Sequence, residues 1–140
     1  MLSLRDFQVV MREKMLDAVS LYKNRRYSAS IYLCGYAVEI ALKIRICNHM
    51  GWTEFPETAG EFNKKEKYKF IKIHNLELLL AYTGLEGIIK DGSQPYKILW
   101  DEVVKWNPEE RYSTVSAVTK VQAAIALSSA QGLVNFLAPP

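Results

Sequence analysis

Arg45 and His49 stand four residues apart in the stretch GYAVEIALKIRICNHMGW, residues 35–52, and Glu39 and Lys43 stand four apart just before them. Side chains four apart share one face of a helix. At about 100° per residue, Tyr32, Tyr36, Glu39 and Lys43 fall on one flank, and Arg45 and His49 on another. Glu39 ahead of Lys43 is the favourable order for a helical ion pair. The surrounding residues are apolar enough for a core, where an unpaired charge is costly. Either Glu39 and Lys43 satisfy each other under Tyr32 or Tyr36 while Arg45 and His49 emerge at the helix end, or these groups line a groove shared with a second subunit.

Two other groups of residues carry chemical potential. KKEKYKFIKIH interleaves Lys64, Lys65, Lys67, Lys69 and Lys72 with Tyr68 and Phe70. Lysines neutralise phosphates and aromatic faces stack on bases; the plainer reading is a solvated surface with its aromatics pinned to the core. His74 opens a predicted helix, where it is expected to satisfy a nearby backbone group. Arg111 and Tyr112 precede the last predicted helix, placed either to bind a phosphate at its N-terminus or, for Arg111, to pair with Glu39. The sequence has no glycine-rich phosphate loop, nucleophile elbow or zinc spacing, so neither a cofactor nor a metal site is expected.

The elements that must position these residues read as helices. Ser3 is an expected N-cap, and Leu4, Phe7, Met11, Met15, Ala18 and Tyr22 form one apolar stripe over residues 4–23. Asn24, Arg25 and Arg26 break the pattern. A second helix is predicted from Tyr27 to Met50, apolar nearly all round, with Gly51 as its stop. Residues 52–73 read as an anchored loop around Trp52, Phe55 and Pro56, followed by a polar segment open to loop or helix. HNLELLLAYTGLEGI predicts a short helix ending near Gly84 or Gly87. Further helices are expected from Pro95 to Trp106 and from Thr114 to Leu137, the last rich in small residues. These segments predict an all-α, up-down bundle of four to five helices forming a single domain over 1–140.

Bulk composition limits the class. Of 140 residues, 49% are hydrophobic and 24% charged, which excludes a disordered chain. A net charge of +3 permits a polyanionic partner without requiring one. MLSLRDFQ lacks an apolar run behind a basic start, and no apolar stretch approaches a membrane span, so neither a signal peptide nor a membrane association is expected. Cys34 and Cys47 are too far apart along one predicted helix to bridge, which points to a reduced, cytoplasmic protein.

Taken in order, RRYSASIYLCGYAVEIALKIRICNHMGW, HNLELLL and WNPEERYS resemble the HEPN family (higher eukaryotes and prokaryotes nucleotide-binding). The matching elements are Ala37-Val38-Glu39 with Leu42-Lys43, then His74-Asn75-Leu76-Glu77-Leu78-Leu79, then Trp106 with Arg111-Tyr112. The resemblance covers about Leu16 to Leu137. It implies a helical bundle that dimerises, often encoded beside a minimal nucleotidyltransferase in toxin–antitoxin or defence operons. Many relatives are metal-independent ribonucleases with an Arg followed, after four to six residues, by a His. The nearest counterpart here is Arg45-Ile46-Cys47-Asn48-His49, with three residues between. The resemblance thus makes Arg45 and His49 the candidate catalytic pair, with His as acid–base for a ribose hydroxyl and Arg on the scissile phosphate. Lys43, Lys67, Lys69, Arg111 and Tyr112 are the candidate nucleic-acid or nucleotide contacts. The alternative is a non-catalytic dimerisation module that partners a nucleotidyltransferase.

A homodimer is expected on physical grounds as well. The second helix is apolar on most sides, and the last carries both a large-residue stripe (Val118, Val121, Ile125, Leu133, Phe136) and a small-residue one. A small bundle has limited room to cover both, and the commonest closed solution for leftover apolar surface is a two-fold pair.

Overall fold

The computed structural model describes residues 1–105 and 118–140, and among them the fold is helical apart from one two-residue ribbon. Helix α1 spans Leu4–Lys23. The Ser3 hydroxyl accepts from the Asp6 amide at 3.0 Å, satisfying a donor that the first turn cannot. Phe7, Met11, Met15 and Ala18 are buried, so the apolar stripe is the packed face. The turn through Asn24–Arg26 holds Arg25 in a left-handed conformation, φ 62°, and sends the chain back as α2, Tyr27–Met50.

Helix α2 is the spine. It packs against α1 on one side and α7 (Lys120–Leu137) on another, and α4 (Leu76–Tyr82) and α6 (Tyr96–Val104) also touch it. Ala37, Val38, Ile40, Ala41, Leu42, Ile44 and Ile46 are all buried, which accounts for their lack of a polar face. Truncating one of the larger ones, such as Ile46→Ala, is expected to cost about 2–5 kcal/mol. Where α1 and α2 come close, Ser30 donates to the Ala18 carbonyl at 2.7 Å, a buried polar group with its partner supplied. Gly51 takes φ 72°, and the Trp52 amide donates back to the Cys47 carbonyl at 2.8 Å, closing α2 as expected.

The segment after α2 is more ordered than its composition suggests. Strand β2, Glu54–Phe55, pairs antiparallel with β1, Leu2–Ser3, in the register Leu2–Phe55 and Ser3–Glu54. Two residues on each side are too few to leave a strand signature in the sequence. Phe55 is held between rings, stacked on Phe7 at 4.6 Å and edge-on to Phe62 at 5.4 Å. Helix α3, Ala59–Lys64, and a 3-10 helix, Glu66–Ile71, form the polar segment that the sequence left open.

Asn75 caps α4, Leu76–Tyr82, accepting from the Leu78 amide at 3.1 Å. A separate short helix, α5, covers Glu86–Ile89, so the predicted single helix is two pieces divided at Gly84 (φ 77°). Helix α6 is Tyr96–Val104, with Pro95 as its cap rather than its first residue. Helix α7 is Lys120–Leu137, where Thr119 is extended and forms a capping box with Gln122; the expected start at Thr114 lies outside the described residues. On α7 the small residues Ala123, Ala126 and Ala130 face the core, allowing close approach to α2. Val121 and Ile125 of the expected large-residue stripe instead face outward. Helix α6 packs on α7 through a Tyr96–Phe136 stack at 3.9 Å and through Leu99 against Gly132.

Candidate functional site

Glu39 and Lys43 are only 5% and 6% exposed, and their charged ends lie 3.2 Å apart. The expected ion pair is therefore present and shielded. Its third member is His74, whose Nδ1 stands 3.0 and 3.1 Å from the two Glu39 oxygens. A carboxylate only accepts, so Nδ1 carries a hydrogen toward Glu39, and in the neutral ring Nε2 is left as an acceptor. The His74 side chain is 71% exposed, so a buried carboxylate holds a solvent-facing imidazole. The expectation that His74 satisfies a backbone group is corrected: the carboxylate 35 residues earlier is the stronger acceptor and lies within reach.

Tyr36 lies on the same flank, half exposed, with the Lys14 ammonium 5.5 Å from its ring centre. Burial pushes its hydroxyl pKa up, and the nearby Glu39 charge pushes it the same way. Lys43 also lies 5.8 Å from the centre of the Phe55 ring. A cation so enclosed is a structural counter-charge, which removes Lys43 from direct contact with a phosphate on the surface. Arg111, the alternative partner weighed for Glu39, lies outside the described residues, as do Trp106 and Tyr112.

Arg45 and His49 occupy the other flank of α2, one helical turn apart. The Arg45 Nε is shielded from solvent and has no hydrogen-bond partner among the described residues. His49 is exposed near the end of α2, and its ring rests on Gly84. A Cβ at Gly84 would stand 3.0 Å from His49 Cε1, so a larger residue there would displace the imidazole. Gly84 is thus required both by its positive φ and by the ring that covers it. The loop that seats His49 was not legible from the helix pattern alone.

The lysine–aromatic segment divides between core and surface. Tyr68 is buried, donates its hydroxyl to the Glu54 carbonyl at 3.1 Å, and has its pKa raised by that burial. Lys69 is paired with Glu66, and Lys65 with Glu54 at 3.5 Å. Lys67 lies over two rings, 5.6 Å from the centre of Trp52 and 5.0 Å from that of Tyr68. Phe70 remains exposed and meets Trp52 at 6.0 Å and Tyr82 at 4.9 Å. Trp52 and Tyr82 were not among the sequence candidates. They join the segment only through the fold, and the aromatic Tyr82 at the end of the leucine-rich α4 was the one available sign.

A further polar junction ties α4 to α6. Trp100 donates to Glu77 at 2.9 Å, and Lys90 approaches the same carboxylate at 2.8 Å. Burial raises the Glu77 pKa, but the hydrogen bonds from Lys90 and Trp100 outweigh it and leave the carboxyl below its usual value. Cys34 and Cys47 are buried free thiols pushed up to about 12 by burial, hence not nucleophiles near neutral pH. Among the described residues there is no cluster of three metal-ligating side chains, and no helix is long and apolar enough to cross a membrane. No family model, curated protein or solved structure matches the chain.

Proposed function

We propose that this chain is a HEPN-type protein that binds RNA or a nucleotide in a prokaryotic toxin–antitoxin, defence or stress system in the cytoplasm, with Arg45 and His49 facing the bound phosphate. The observation that carries the reading is the Arg45 guanidinium, whose Nε is shielded and unpartnered among the described residues. An unsatisfied shielded donor costs about 1–3 kcal/mol, more when it is charged. Arg45 is only half-buried, so its side chain can turn to present Nε to a ligand's acceptor and recover that cost, and the planar guanidinium fork matches phosphate better than any other side chain. His49, one turn on and exposed, offers a proton donor or acceptor beside it. The family resemblance is supported by Glu39 and His74, since two of the elements that carry it meet in space.

In its fullest form the proposal includes metal-independent RNA cleavage by Arg45 and His49 pairs brought together in a dimer. The test is a metal-free binding and cleavage assay on single-stranded RNA with wild type, Arg45→Ala and His49→Ala. Wild type should bind, and Arg45→Ala should bind at least about tenfold more weakly, the order of one lost charge-assisted hydrogen bond. No binding by wild type, or equal binding by Arg45→Ala, contradicts the reading.

One observation favours the second reading, a non-catalytic module that dimerises or docks on a nucleotidyltransferase. Val121 is 67% exposed and Ile125 42% exposed, one turn apart on the outer face of α7. Light scattering at micromolar concentration that returns about twice the chain mass supports the homodimer, and a monomer contradicts it.

A further inference from the structure

Near the end of α2 lies a group of aromatic rings, one packed against the core and two exposed, that the ion pair does not require. Trp52 follows the Gly51 stop, Phe70 comes from the 3-10 helix and Tyr82 from the end of α4. Their ring centres lie 6.0 Å apart for Trp52–Phe70 and 4.9 Å for Phe70–Tyr82, so the three form a continuous row. Phe70 is 38% exposed and Tyr82 40%. The row reaches the Arg45–His49 flank, because Tyr82 is two residues from Gly84, the residue on which the His49 ring rests.

Lysines outnumber carboxylates in the segment that carries Phe70. Lys64–Lys72 contains five lysines and one glutamate. Lys65 and Lys69 are neutralised by Glu54 and Glu66, whereas Lys64, Lys67 and Lys72 have no carboxylate partner among the described residues. Lys67 is held over Trp52 instead. Aromatic faces interleaved with unneutralised lysines fit a chain that alternates flat bases with phosphates, and fit an uncharged apolar partner poorly.

We propose that Trp52, Phe70 and Tyr82 are a stacking ledge for unpaired bases, and that the ligand of this protein is single-stranded RNA rather than a mononucleotide or a duplex. The proposal rests on the phosphate-binding reading of Arg45 and His49, which it extends by a base-recognition surface. Phosphates on the Arg45–His49 flank place the neighbouring nucleotides over the rings, and Lys64, Lys67 and Lys72 track the backbone. Duplex RNA keeps its bases stacked on one another and offers the ledge nothing.

The test is fluorescence anisotropy with a labelled oligouridylate of about twelve nucleotides, a length sufficient for such a groove. It is run against an abasic ribose-phosphate strand of equal length. Wild type is expected to bind oligouridylate at least about tenfold more tightly than the abasic strand, the order of one lost base stack. The double variant Phe70→Ala/Tyr82→Ala should abolish that preference while leaving the slope of affinity against salt unchanged. Circular dichroism checks its fold, and the surface variant Lys64→Glu/Lys72→Glu should weaken both strands. Equal affinity of wild type for the two strands, with both lost in Arg45→Ala, overturns the ledge and leaves the phosphate reading standing. A double variant that keeps the preference also overturns the ledge. Failure of wild type to bind either strand overturns both. Self-association of wild type that the double variant abolishes assigns the surface to a second copy of the chain and overturns the proposal.

Discussion

Replacing Glu39 by alanine removes the only carboxylate paired, among the described residues, with a lysine that is 6% exposed. At 3.2 Å and an effective dielectric of about 20, the gross attraction is about 5 kcal/mol. Much of it is offset by the cost of taking both ions out of water, so the pair itself adds little. The asymmetry appears when one partner goes: a stranded buried charge typically costs about 3–5 kcal/mol. A domain of this kind has about 5–15 kcal/mol in total, so Glu39→Ala should consume a large part of it. The assay is urea unfolding at pH 7 followed by circular dichroism. With a slope of about 2 kcal/mol per molar, the midpoint should fall by about 2 M. Removing the cation too, in Glu39→Ala/Lys43→Met, should restore most of the loss. His74→Ala should cost less than about 1 kcal/mol, because its contact is made from a largely exposed ring. An unchanged midpoint for Glu39→Ala, or a double variant no better than the single one, refutes the reasoning.

Gly84→Ala forces a left-handed φ of 77° on alanine and crowds the His49 ring; a loss of about 1–3 kcal/mol is expected in the same assay, with displaced His49 ring resonances by NMR. Cys34 and Cys47, with pKa values pushed up to about 12, should resist a thiol reagent at pH 7 in the folded protein and react once urea unfolds it. The Glu77 carboxyl lies below its ordinary value of 4.5, so its contribution is present above that pH and is lost as the pH falls through the lowered folded value. The stability difference between wild type and Glu77→Gln should accordingly shrink when unfolding is measured below pH 4.5.

The long helices were readable because their signals are local. Ser3 at one end of α1 and Gly51 at the end of α2 mark boundaries that the structure places where the sequence does. The apolar circumference of α2 pointed to its central position for the same reason. Contacts between distant residues left no such mark. His74 meets Glu39 only because α4 packs on α2, and Glu77 meets Trp100 only because the fold brings one side chain of α6 within hydrogen-bond reach of α4. The β1–β2 ribbon is too short for any period to show. The start of α7 at Lys120 follows from the reciprocal cap of Thr119 with Gln122, three residues on, which the apolar pattern of that helix does not show. Of the candidate site, the four-residue spacing of Arg45 and His49 could be read, but the missing partner at the Arg45 Nε and the Gly84 seat under His49 could not.

Arg45 Nε–H is therefore the most direct reporter of the central claim. A nitrogen–proton correlation spectrum of the arginine side chains, with the Arg45 peak identified by its absence in Arg45→Lys, should be recorded during titration with oligouridylate. The account predicts that the Arg45 resonance shifts saturably as its donor acquires a phosphate acceptor, while the exposed Arg5 and Arg12 on α1 hold their positions. An Arg45 peak that stays fixed while RNA binds elsewhere, or stays fixed because no RNA binds, contradicts it.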